Sequence, residues 1–88
     1  MFTLRACTLD PAGIPATDDC FDTGMDLSSI RWITLNVTAG GWTDVPWFHP
    51  FAKVRLLTGA ELIIPMEPDQ DPVRALNSLE LLRDALTR

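Results

Sequence analysis

Nucleophilic catalysis needs a serine or cysteine within reach of a base, and a third group to orient that base. The parts on offer are Cys7, Cys20, Ser28, Ser29, Ser78 and a single histidine, His49. None sits in a nucleophile motif: there is no G-x-S-x-G turn, and a Cys20–His49 pair has no local signature. Zinc usually draws several Cys and His ligands at short spacing, which one histidine and two distant cysteines do not supply. Calcium fares no better. In "DDCFDTGMD" the acids Asp18, Asp19, Asp22 and Asp26 cluster, but the further oxygen ligands and the closing glutamate of an EF-hand are missing. Gly40-Gly41 is an isolated pair, not a phosphate-cradling loop. The expectation is a protein that is not an enzyme and that uses no cofactor and no metal.

What stands out instead is "GGWTDVPWFHPFAKV", Gly40 to Val54. It places Trp42, Trp47, Phe48, His49 and Phe51 between paired glycines and two prolines. Val45-Pro46 and His49-Pro50 hold the residues before each proline in extended geometry, which excludes a helix. The stretch reads as a proline-stiffened connection between two strands. Its aromatics either wrap over a sheet face as core, since a short chain needs their buried area, or stay exposed as preorganised anchors for a partner. His49 is expected to hydrogen-bond a loop carbonyl.

Composition sets the frame around this stretch. Eighty-eight residues, 47% apolar and 22% charged, suit a single domain over residues 1–88 with a modest core. A partner or self-association would add to its stability. The net charge is −5, with the surplus acids in the first half. No basic cluster exists to displace counterions from phosphates, so direct nucleic-acid binding is not expected. An acidic protein instead complements a basic or mixed protein surface. The longest apolar run, Leu62 to Ile64, is far too short for a membrane span, and the N-terminus lacks a signal-peptide pattern. A cytoplasmic location follows as the expectation, with Cys7 and Cys20 reduced and each acting as a small buried hydrophobe. Export would make a Cys7–Cys20 bridge plausible instead.

The elements that must position these residues are read from period and punctuation. "FTLRACTL" (2–9) alternates as a half-buried strand and is stopped by Asp10-Pro11-Ala12-Gly13. Residues 11–27 lack sustained periodicity and read as a long acidic connection, with Phe21 and Met25 tucked inward. "SIRWITLNV" (29–37) is a strand with Ile33, Leu35 and Val37 on one face and Ile30, Trp32, Thr34 and Asn36 on the other. "FAKVRLL" (51–57) and "ELIIP" (61–65) form an antiparallel hairpin around "TGA". The C-terminal segment is a helix with Asp71 at its N-cap and Pro72 at its first position. Its apolar stripe is Ala75, Leu76, Leu79, Leu82 and Leu86, with Leu81 off it. The fold class is thus α+β: a small antiparallel sheet of about four strands with one helix packed on it, in the order ββββα.

The function that fits is a small acidic protein-binding module: an adaptor, inhibitor or immunity-type factor. Trp42, Trp47, Phe48, His49 and Phe51 would anchor the partner, and Asp18, Asp19, Asp22 and Asp26 would supply charge complementarity. A phage- or mobile-element-encoded inhibitor of a host defence complex matches that profile. Two alternatives come from other classes. One is a homo-oligomeric assembly subunit, most simply a homodimer, in which the exposed sheet edge, Leu81 and the aromatic stretch pair with their copies. The other is a small-molecule or catalytic domain with aromatics lining a pocket and His49 at the rim.

Overall fold

The protein's computed structural model describes residues 2–40 and 46–87. In chain order they form β1 (Phe2–Leu9), β2 (Pro15–Met25), a 3-10 turn (Leu27–Ser29), β3 (Ile30–Gly40), β4 (Trp47–Leu56), β5 (Glu61–Pro65) and α1 (Pro72–Leu86). The five strands make one antiparallel sheet in the order β2-β1-β5-β4-β3. The class is α+β as the sequence implies, with one strand more than the four it predicts. No helix among the described residues is long and apolar enough to cross a membrane.

Each local rule that marked an element acts where expected. Asp71 accepts the Val73 amide at 2.9 Å, which satisfies one of the helix's unpaired N–H groups, and Pro72 follows it. The β1–β2 turn is held by Asp10, whose carboxylate accepts the amides of Ala12 and Ile14. Gly13 closes that turn at φ +81°, a conformation that costs other residues a steric penalty. At the β4–β5 hairpin the Leu56 amide donates to the Ala60 carbonyl.

Alternation divides the sheet into two faces. On one face Ala6, Ala52, Val54 and Ile64 pack against Leu79 and Leu86 of the helix, joined by Leu4, Ile33, Leu35, Val37, Leu56, Leu62 and Leu82. Ile30, expected from its parity on the opposite face with Trp32, joins the same layer as Ile33 instead. A bulge between Ile30 and Trp32 adds a residue and turns Ile30 inward. Of the helix stripe, Ala75, Leu79 and Leu86 are buried, whereas Leu76 is exposed and Leu81, off the stripe, more so.

The second face carries no helix, yet Cys7, Phe51 and Ile63 on it are buried. The chain itself covers them. At Cys7/Thr8 the β1–β2 register jumps from Cys20 to Ala16, so Thr17, Asp18 and Asp19 bulge out and the hairpin can bend. Its tip then crosses the helix-free face to β3, where Thr38 Oγ1 donates to the Gly13 carbonyl at 3.1 Å. Ile14 comes so close to Gly40 that a Cβ there would lie 2.6 Å from Ile14 Cδ1. The helix-side core is thus backed by buried residues on the opposite face, the side to which the hairpin tip folds.

Several expectations are corrected here. Residues 15–25, read as part of an irregular acidic connection, are strand β2. Met25 is buried as anticipated, but Phe21 is 52% exposed. Trp47 to Pro50 belong to β4 and pair with Val37 to Gly40, so the strand starts inside the aromatic stretch. Pro50 is tolerated there for a geometric reason. In an antiparallel ladder a residue's N–H and C=O address the same neighbour. The Pro50 carbonyl accepts the Met66 amide, so its missing donor faces the side where β5 has ended, and the β3–β4 ladder stays whole. Finally, Cys7 and Cys20 are not two thiols but a disulfide, formed between residues directly opposed across β1 and β2.

Candidate functional site

Strand parity decides which candidate residues share a surface. Trp47, His49, Phe51, Lys53 and Arg55 alternate with the helix-packed Pro50, Ala52 and Val54, and so face the helix-free side. Asp22 pairs with Arg5, which alternates with the core residue Ala6, and it faces the same side. Phe48 points the other way, half-buried. Its amide and carbonyl bond Asp69 at 2.8 and 3.0 Å, which extends the sheet past the end of β5. Trp47 is therefore held on a strand flanked by hydrogen-bonded neighbours while its side chain stays 37% exposed.

The remaining candidates divide. Phe51 is 4% exposed and buried on the helix-free side, so it leaves the candidate surface. The His49 ring is half-buried and makes no hydrogen bond among the described residues, contrary to the expected carbonyl contact. Trp42 lies outside the described residues. Asp18 and Asp19 are exposed in the β2 bulge, where Asp19 accepts the Thr8 hydroxyl at 2.8 Å. Asp26 precedes the 3-10 turn, and its carbonyl accepts the Ser29 amide. The acids thus run along an edge strand, three strand steps from the aromatics of β4. They do not form the loop that the sequence suggested.

Two features on the helix-free face were not singled out from sequence. Trp32, 51% exposed, has the Arg31 guanidinium 5.0 Å and the Arg55 guanidinium 5.7 Å from its ring centroid. Arg55 is its cross-strand neighbour and continues the ladder to Glu61 on β5 at 2.8 Å. Such exposed cation–π contacts contribute about 0.5–1 kcal/mol each and mainly fix the ring's position. The signal was present: Trp32 alternates with Ile33 and follows an arginine. The second feature is a cleft of about 300 Å³ lined by Arg5, Cys7, Thr17, Cys20, Glu67 and neighbouring residues of the 65–68 segment. The disulfide-bonded Cys7 and Cys20 are both part of that lining. Neither His49 nor any of the named aromatics lines it, so the cleft gives no support to an aromatic pocket with His49 at its rim. No group of three or more His, Cys, Asp or Glu suited to a metal occurs among the described residues.

Comparison with protein-family models, with curated proteins and with solved structures found no match. The fold and the surface geometry are what the functional reading rests on.

Proposed function

We propose that this protein is a small acidic protein-binding module, an adaptor or inhibitor in kind, that meets its partner with the helix-free face of the sheet. The observation that carries the reading is Trp47: a large aromatic left 37% exposed on a strand bonded on both sides. A side chain presented that way loses little freedom on docking, which is the cost that most often limits affinity. Tryptophan is also enriched among the residues that dominate interface energies. Asp22 on the same face, with Asp18 and Asp19 on the adjoining bulge, would favour a partner with basic residues at the matching distance. Three strand steps separate β2 from β4, roughly 14 Å in a flat sheet, within the span of one standard interface. Opposition to a host defence complex, as a phage or mobile-element factor, is one role such a surface would serve.

The test is capture of a partner from the native host by wild-type and Trp47→Ala proteins side by side. Loss of more than ~2 kcal/mol of binding with unchanged thermal stability supports the proposal. Binding that persists in Trp47→Ala sinks it.

A further inference from the structure

Beyond partner binding, the free edge of β3 has the features of a self-association surface. β4 residues Phe48 and Pro50 address the β5 side with their backbone groups. The alternate residues Trp47, His49 and Phe51 therefore address β3, where they pair with Gly40, Thr38 and Asn36. It follows that the N–H and C=O groups of Ile33, Leu35, Val37 and Ala39 point outward, away from β4. β3 is the last strand of the sheet, so these groups meet no further strand among the described residues. The same residues Ile33, Leu35 and Val37 turn their side chains to the helix layer, yet all three are only half-buried. On the neighbouring strand the equivalent Pro50, Ala52 and Val54 are fully buried. Apolar cover thus runs out at β3.

We infer that two copies of this chain pair antiparallel along β3, centred on Leu35, to make one continuous sheet of two fives. In that register Leu35 meets Leu35 of the second copy and Ile33 meets Val37 on the helix side. Each of the outward-facing pairs exchanges two backbone bonds, about six in all. The charge pattern also admits a second copy as the occupant. The only ionisable residue of β3 is Arg31, which falls opposite uncharged Ala39, while the acids of β2 lie at the far edge of each sheet. On the helix-free face Thr34 falls opposite Asn36, in a pair whose side chains approach most closely.

Sedimentation of the full chain from micromolar to high-micromolar concentration, with and without charges at those two positions, tests the inference. Wild type is expected to dimerise. Thr34→Lys with Asn36→Lys sets like charges across the dyad and should weaken the dimer at least ~10-fold. Mixing that variant with Thr34→Glu/Asn36→Glu should restore association. Amide exchange on wild type provides a readout that needs no variant. In a dimer the amides of Ile33, Leu35 and Val37 become as protected as those of Thr34 and Asn36, whereas in a monomer protection alternates along the strand. A monomer at every concentration, alternating protection, or a dimer indifferent to the lysines overturns the inference. Trp47→Ala should leave self-association unchanged, which separates failure here from failure of the partner-binding proposal.

Discussion

At one edge of the sheet β2 carries Asp18, Asp19 and Asp22, begins at a proline and is interrupted by the Thr17–Asp19 bulge. At the other, β3 is as long but holds Arg31 as its one charge and contains no proline. Bulges, prolines and charges are the devices by which proteins keep an edge strand from templating another chain. Here they gather on one edge and are sparse on the other. Net acidity therefore does not act as a uniform coat. It guards one side of the sheet and leaves the opposite side able to pair.

The comparison can be broken at either edge, and the largest effect is expected beneath β3. Leu79 is fully buried where α1 covers β3 and β4. Leu79→Ala should cost about 3–4 kcal/mol in urea unfolding and raise amide exchange on β3 more than on β2. Equal acceleration at both edges would show that the helix supports the whole sheet and not this side of it. The next effect falls on the other edge. The Cys7–Cys20 bond closes a loop with a sequence separation of 13 and anchors the bulge. Replacing both cysteines with alanine should cost about 3 kcal/mol and open β2 first. Unchanged stability would mean that the folded tip, held by Thr38 and packed through Ile14 against Gly40, secures the hairpin without the bond. The smallest effect belongs to Asp19→Ala, which removes the exposed Thr8 hydrogen bond and should cost about 0.5–1 kcal/mol. Its signature is faster exchange confined to residues 17–19.

The unequal edges also explain which parts of the fold were legible. β3 announces itself through β-branched residues in strict alternation, and the helix through Asp71-Pro72 and its leucines. β2 hides because its stretch carries three Asp with Pro, Ala and Gly, all depleted in strands, and because three bulged residues break the period. Its extended form is imposed by pairing with β1. The disulfide is legible only after that register is known, since cysteine number alone says nothing of who faces whom. The start of β4 was obscured by Pro46 and Pro50, which normally count against an interior strand. Pro50 is compatible only because its absent donor falls where β5 stops. Of the candidate surface, Trp47 was found by type, whereas Phe51 could be removed from it only once the hairpin tip was seen to cross the face.

The Ile30/Trp32 bulge has a consequence for how this strand tolerates change. Beyond it, parity is uninterrupted to Gly40, so one set of residues serves both the helix layer and the outward backbone, and the other serves neither. Ile33, Leu35 and Val37 are bound by two constraints at once. Trp32, Thr34 and Asn36 answer to a different surface: changes there leave the helix-side core and the outward backbone groups in place, while Thr34 and Asn36 still bear on how two copies meet. A designer thus has two alphabets on one strand: one that sets whether the chain folds and offers its backbone edge, and one that sets what the helix-free face presents and, through Thr34 and Asn36, whether a second copy is admitted.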